Sequence, residues 1–245
     1  MKRMVVIPDV QAPDHNKKSW KVLKQFIKFY KPHTLLILGD FINLDSLSSY
    51  KVLTTRELHS LQEEITQGNE MLDELDKLHK YKEKIYIGGN HEDRYKIYKL
   101  NNWVTEPRHK YPMTDIQTEL RLDERGYEYV PYGGIYKKGK AIFTHGWYVN
   151  KYHAEKTLRR FFKNVYYGHI HNWQVYSMLG MDGKPVESAS LGCLCNLNLD
   201  YLKGKPPDWV QMFAYFDFMP NGKYFFHPVK IIDGKICEFG RVFGD

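Results

Sequence analysis

The sequence predicts an α/β fold, and three observations carry that expectation. Two apolar runs, Met4-Val5-Val6-Ile7 and Thr34-Leu35-Leu36-Ile37-Leu38, flank an amphipathic stretch from Asn16 to Tyr30. That strand–helix–strand unit implies a right-handed parallel crossover. Each run ends in a loop carrying an acid: Asp9 after the first, Asp40 after the second. From Trp173 onward, β-rich segments alternate with short turns, so the second half is expected to supply a mostly antiparallel sheet.

Composition sets the frame. A chain of 245 residues that is 42% apolar can bury a full core, and no domain linker, repeat or low-complexity segment divides it, so residues 1–245 read as one domain. No run of 18 apolar residues exists, and Met1-Lys2-Arg3 leads straight into a strand rather than a signal peptide. Three cysteines, Cys193, Cys195 and Cys237, are too few for a disulfide framework. A cytoplasmic protein with no membrane association is expected. The formal charge of +7 suits a polyanionic partner such as DNA or RNA, and equally a merely soluble surface.

The elements follow in order. The helix from Asn16 to Tyr30 turns Trp20, Leu23, Ile27 and Tyr30 to the core and its lysines to water. Before it, Pro8 and Pro13 bracket a loop in which Asp9 and Gln11 stand two apart. In extended backbone both side chains point the same way, as half of a metal site would require, although Asp9 also suits a plain turn. A long helix is expected from Arg56 to Lys80, with Leu58, Leu61, Ile65, Leu72, Leu75 and Leu78 inward and Glu63, Glu64, Asp73, Glu74 and Asp76 facing solvent. A third strand at Glu83–Ile87 runs into Gly88-Gly89-Asn90-His91-Glu92-Asp93-Arg94, read as a tight turn before a helix at Tyr95–Tyr98.

Residues 101–125 read as irregular to helical. Strands are expected at Tyr127–Val130 and Lys140–Thr144, the latter ending in His145-Gly146, then a helix from Asn150 to Phe162 and a strand at Val165–Tyr167 running into Gly168-His169-Ile170-His171. Two histidines at i and i+2 share a face in extended backbone and can serve two neighbouring metals. Further strands are expected at 173–180, 185–191, 210–219 and 223–232, with hairpin turns at Met181-Asp182-Gly183 and Pro220-Asn221-Gly222.

The ordered series Asp9-x-Gln11, Gly39-Asp40, Gly89-Asn90-His91-Glu92, His145-Gly146 and Gly168-His169-x-His171 resembles the motifs of the calcineurin-like metallophosphoesterase superfamily. The chain is also similar to phosphoesterase-like proteins common in phage genomes. That likeness runs through Ser46-Leu47-Ser48-Ser49-Tyr50, Glu92-Asp93-Arg94 and the tail from Gly192-Cys193-Leu194-Cys195 to Pro207-Asp208-Trp209. The resemblance implies two facing mixed β-sheets flanked by helices, and two divalent metal ions sharing Asp40. Asp9, Asp40, His171 and Gln11 would hold the first ion, and Asp40, Asn90, His145 and His169 the second. Mixed oxygen and imidazole donors suit manganese first, with iron, zinc or nickel as alternatives. The implied chemistry is attack of a metal-activated hydroxide on a phosphate ester, with His91 stabilising the phosphoryl group or protonating the leaving oxygen, Asp93 orienting His91 and Arg94 contacting phosphate.

Two departures stand out. Gln11 replaces an imidazole with a neutral amide, so the first metal should bind more weakly. Asn43 replaces the second acid of Gly-Asp-x-x-Asp, leaving Asp45 to take its place. The protein-phosphatase signature Gly-Asp-x-Val-Asp-Arg-Gly is absent at Gly39–Asp45. Cys193 and Cys195 have ligand-like spacing but no evident partners, and read as core or loop cysteines. Trp147, Tyr148, Lys151, Tyr152, Arg159 and Arg160 mix aromatic and basic side chains, as a nucleic-acid surface does, or as a packed helix with a solvated face does. The expected activity is a phosphodiesterase acting on nucleic acid or nucleotides. A phosphomonoesterase, or a catalytically weak nucleic-acid-binding protein, is the alternative.

Overall fold

A computed structural model describes residues 1–48, 59–103, 114–197 and 207–244. In chain order the elements are β1 (Lys2–Ile7), α1 (Lys17–Tyr30), β2 (Thr34–Ile37), a 3₁₀ turn (Asp45–Leu47), α2 (Leu61–Leu78), β3 (Glu83–Ile87), α3 (Asn90–Trp103) and α4 (Ile116–Glu119). There follow β4 (Tyr127–Val130), β5 (Tyr136–Lys138), β6 (Ala141–Thr144), α5 (His153–Phe161), β7 (Asn164–Tyr167), β8 (Trp173–Leu179) and β9 (Pro185–Leu191). The chain closes with β10 (Met212–Phe218), β11 (Tyr224–Lys230), β12 (Ile236–Glu238) and β13 (Arg241–Phe243).

Two mixed sheets face each other. The first has the order β11-β10-β1-β2-β3-β4 and the second β5-β6-β7-β9-β8. Strands β1 to β4 are mutually parallel, as the crossover rule requires. The strands after Trp173 pair mostly antiparallel, as expected, but not within one sheet: β9 also joins β7 in parallel, beside the parallel pair β6–β7, and the β10–β11 hairpin extends the first sheet beside β1. A hairpin signal specifies its own pairing but not which sheet edge receives it.

Strand alternation builds the layers. Val5, Ile7, Leu35, Ile37 and Tyr86 pack against Trp20, Leu23, Phe26 and Ile27 of α1 and Leu72 and Leu75 of α2. Their neighbours Met4, Val6, Leu36, Ile85 and Ile87 point the other way, into an inter-sheet core with Phe143, Tyr166, Leu191 and Phe216. Ile142, Val165 and Tyr167 form a third cluster with Phe161 of α5. The layering is helix, sheet, sheet, helix, so the central strands are apolar on both faces and read as continuous runs.

Boundaries moved where caps decide them. Helix α2 starts at Leu61 because Ser60 and Glu63 form a reciprocal capping box, while Arg56 and Leu58 lie outside the described residues. Helix α5 begins at His153 rather than Asn150. Helix α3 begins at Asn90, so Asn90 to Arg94 are its first turn and not a loop before it. Glu64, expected on the solvent side of α2, is buried and accepts from the Asp45 backbone N–H at 2.8 Å and from Ser46 Oγ. Glu74 and Asp76 are likewise engaged, with Trp20 Nε1 at 2.6 Å and Lys84 Nζ at 2.8 Å respectively.

Phe216 is fully buried between the sheets, with its ring 5.2 Å from Phe143 and 4.8 Å from Tyr166. Phe216→Ala should lower unfolding free energy by about 3–5 kcal/mol in urea titrations. A loss below about 1 kcal/mol would show that the sheets are not pinned there.

Candidate metal centre

The site lies where strands end. Asp9 and Gln11 follow β1, Asp40 follows β2, Asn90 and His91 open α3 after β3, His145 follows β6, and His169 and His171 follow β7. This is the carboxyl edge of parallel strands, where open α/β sheets gather ligands. The backbone does not stay extended there. Among the described residues eleven non-glycine residues have positive φ, and five of them are Asp9, Gln11, Asp40, His169 and His171. Left-handed conformations at non-glycine residues cost roughly 1–3 kcal/mol each and persist where the surroundings over-determine them. The pairs at i and i+2 therefore converge through sharp turns and not through the strand alternation expected of them.

Two donor groups result, and both contain Asp40. Ligand atoms of Asp40, His145 and His169 lie within 4.8 Å of one another, as do those of Asp9, Asp40 and His171. Asn90 joins the first group, its Oδ1 lying 3.0 Å from His145 Nε2. Gln11 joins the second, its Nε2 lying 3.4 Å from His171 Nε2. Every residue expected to hold metal is thus in one cluster.

The residues fit a pair of cations. Gln11 Oε1 is buried without a hydrogen-bond partner, which leaves a carbonyl oxygen free to ligate. His145 donates from Nδ1 to the Leu38 carbonyl at 2.9 Å, the outer contact that turns Nε2 toward a metal. Glycine is required at two positions because the carboxylates press on the backbone: a Cβ at Gly89 would collide with Asp40, and one at Gly168 with Asp9.

Electrostatics favour the same reading. Burial disfavours charge on both Asp40 and His145, yet their mutual contact at 3.3 Å holds the Asp40 carboxyl far below its usual range and raises His145 to about 10. Burial also opposes charge on His171, but Asp9 at 3.3 Å raises it to about 9. Burial lowers His169 to about 4, helped by the neighbouring His145 charge. In the absence of a cation the two buried carboxylates favour the charged form of these histidines, and a bound cation would take the place of those protons.

The support is equally specific. Asp40 accepts at Oδ1 from the His91 backbone N–H at 2.9 Å, so the positive end of α3 faces it. Glu92 is buried and accepts from the backbone N–H groups of Asp40 (2.9 Å), Phe41 (2.9 Å), Ile42 (3.3 Å) and Gly89 (2.7 Å) and from Tyr86 Oη (2.7 Å). It binds the Asp40 loop to the start of α3. Sequence reasoning placed Glu92 in the motif but gave it no role, and its signal was position alone, two residues after the ligand Asn90. Asn43 Nδ2 donates to Asp14 and Asp45, each at 2.8 Å, and Asp45 in turn accepts from Arg94 at 2.8 Å. Asp45 therefore supports Arg94 and not a metal ligand.

His91 and Arg94 line a cavity of about 340 Å³ together with Gln11, Asp40, Asn90, His169 and His171. His91 Nε2 lies 3.6 Å from Asp40 Oδ2 and 3.1 Å from an Arg94 nitrogen. Burial, with the Arg94 charge assisting, lowers the His91 pKa against the pull of Asp40. Asp93 does not orient His91. Its side chain is outside the cavity lining, and its charge acts on Tyr129 and Tyr132. Arg94 is the group that touches the His91 ring.

The remaining candidates separate. Cys193 and Cys195 are fully buried, as read, but Cys195 Sγ lies 3.7 Å from His171 Nδ1. Trp147 and Tyr152 are exposed on the way from His145 into α5, with Lys156 over the Tyr148 ring at 4.4 Å and Lys151 over Tyr152 at 5.5 Å. Arg159 is paired with Glu155 at 2.8 Å, and Arg160 is exposed. None of these lines the metal cavity.

A buried two-part donor cluster thus stands at the strand ends of facing mixed sheets. The chain belongs to the calcineurin-like phosphoesterase family, whose model matches residues 2–186. Among solved structures it is similar to Vps29 from Chaetomium thermophilum, at 12% identity over 99% of this chain and 91% of that one, with a TM-score of 0.48. It is also similar to a Vps29 mutant from Entamoeba histolytica (14%, 96% and 95%, TM-score 0.47). A third is Yfce, a phosphoesterase from E. coli (13%, 88% and 88%, TM-score 0.41). No curated protein matches the chain.

Two substitutions probe the centre. Glu92→Gln would set an amide N–H₂ against backbone N–H donors, so it should cost about 1–3 kcal/mol and weaken Mn²⁺ binding about tenfold or more by calorimetry. Unchanged metal affinity would show that the Asp40 loop holds its shape without the clamp. Gln11→His restores an imidazole and should tighten one of the two Mn²⁺ sites. If neither metal content nor affinity moves, Gln11 is not a ligand.

Proposed function

We propose that this protein is a dinuclear metal-dependent phosphodiesterase acting on nucleic acid or nucleotide phosphodiesters. The observation that carries the reading is the Asp40 carboxylate, common to both donor groups and 3.6 Å from His91 Nε2. Asp9, Gln11, Asp40 and His171 would hold one ion, and Asp40, Asn90, His145 and His169 the other. Bound divalent cations supply Lewis-acid polarisation of a phosphoryl oxygen and a water acidic enough to attack at neutral pH.

The chain's own groups complete the site. His91 lines the cavity with Nε2 beside Arg94, and would stabilise the phosphoryl group or, once protonated, act as the acid for the leaving oxygen. Asp45 holds Arg94, and Arg94 holds the His91 ring. Arg94 is the single Lys or Arg among the described residues lining the cavity, and its charge is matched by Asp45. That balance suits a singly charged diester better than a doubly charged monoester. The net charge of +7 and the exposed aromatic and basic residues beyond His145 favour a nucleic-acid substrate.

The neutral side chains Gln11, at the donor cluster, and Asn43, beside it, favour one other reading, a nucleic-acid-binding protein with a weakened centre. The test is hydrolysis of bis-p-nitrophenyl phosphate beside p-nitrophenyl phosphate with Mn²⁺, Mg²⁺, Ni²⁺ and Zn²⁺. Diester turnover should dominate, stop on chelation, and fall about 10²–10⁴-fold in kcat with His91→Ala. Monoester turnover alone would make the protein a phosphomonoesterase. Salt-sensitive nucleic-acid binding without turnover in the metal-loaded protein would establish the binder.

A further inference from the structure

The His171 ring has a donor set on each edge. Its Nε2 edge meets Asp9 Oδ1 at 3.3 Å and Gln11 Nε2 at 3.4 Å. Its Nδ1 edge meets Cys195 Sγ at 3.7 Å. Cys193 completes a second group: one ligand atom each from His171, Cys193 and Cys195 lie within 4.8 Å of one another, and all three residues are buried. The sequence alone left the two thiols without a partner. The fold brings them one.

We propose that Cys193, Cys195 and Nδ1 of His171 form a site for one thiophilic divalent cation, Zn²⁺ or Cd²⁺, distinct from the oxygen-rich donors on the far edge of the ring. Three arguments support it. Tetrahedral zinc, with bonds of about 2.3 Å to sulfur and 2.0–2.1 Å to nitrogen, separates an S and an N ligand by about 3.6 Å. The observed 3.7 Å therefore needs little movement. Two thiolates and a dication sum to zero charge, which is what a buried site tolerates. The thiols also stand on fixed backbone. Cys193 bonds through its N–H to Val210 O at 3.0 Å and through its carbonyl to the Met212 N–H at 3.0 Å, and the Cys195 carbonyl accepts from Gln211 Nε2 at 3.1 Å.

A consequence follows from imidazole chemistry and rests on the reading of His171 as a ligand of the Asp9 half-site. A neutral imidazole offers one ring lone pair at a time, the other nitrogen carrying the proton. A cation on Nδ1 therefore leaves Nε2 protonated, a donor to Asp9 and no longer a ligand for an ion held by Asp9 and Gln11. The soft site and the first hard site exclude each other, so thiophilic metals displace the oxygen-preferring ion.

The test uses the full chain with Cys237→Ser, which removes the exposed thiol. Mn²⁺ is bound first and followed by electron paramagnetic resonance, then Cd²⁺ is titrated while the thiolate-to-cadmium charge-transfer band is read in the ultraviolet. The band should saturate at one Cd²⁺ per chain and free one Mn²⁺. Cys193→Ser should weaken that Cd²⁺ binding by at least about tenfold with Mn²⁺ binding retained as the control for folding. Cadmium NMR of the Cys237→Ser protein should show a sulfur-rich environment, and this reading needs no core substitution. Absence of the band in Mn²⁺-competent protein, or its survival in Cys193→Ser, overturns the site. A band without Mn²⁺ release overturns the sharing of His171. Failure of Mn²⁺ to bind at the first step overturns the hard-metal centre instead, and the Cd²⁺ band still reports on the thiols.

Discussion

The centre depends on one buried carboxylate that binds no metal. Glu92 gathers four backbone N–H groups and a phenol from three segments: the Asp40 loop, the end of β3 and the Gly89 turn. Three of those N–H groups belong to the Asp40 loop and one to the Gly89 turn, and leaving them unpaired in the interior would cost about 1–3 kcal/mol each. Burial and the nearby Asp40 charge raise the Glu92 pKa, so its charge is tolerated only because all five donors converge on it. With the loop held, Asp40 can stand in a left-handed conformation and accept from the start of α3. The metal ligands are then a by-product of a solved hydrogen-bond problem.

Much of this was legible in the sequence, and the limits have physical causes. The central strands announced themselves because layers on both faces demand continuous apolar runs, and Trp20, Leu23, Ile27 and Tyr30 marked the inner face of α1 by spacing alone. The residues of the centre could be named because each follows a strand. Their geometry could not: period-two alternation was the wrong reason for Asp9 with Gln11 and for His169 with His171, whose φ angles are all positive. Glu64 was misread because a charged residue on a helix is usually solvated, and its partners, the Asp45 N–H and Ser46, come from a loop nineteen and eighteen residues away. The Cys195–His171 contact spans 24 residues and leaves no periodic trace. Asp93 was given its orienting role by the resemblance. On a helix, residues two apart diverge, whereas Arg94, three positions along, lies on the same face as His91.

The two half-sites are unequal, and the inequality lies in what stands behind each histidine. His145 is turned by a backbone carbonyl, a strong and fixed acceptor, and its partners Asn90 and Asp40 are oxygen donors within 3.3 Å. His171 is turned by a thiol, a weak and polarisable partner, and faces an amide where an imidazole would complete the set. A weaker outer contact makes His171 a less committed ligand, and an amide oxygen adds less field than a ring nitrogen. On the proposed assignment the second half-site would retain its ion and the first would exchange it more easily. Asp40 belongs to both donor groups, so a change of charge in the one half would be felt through the shared carboxylate by the other.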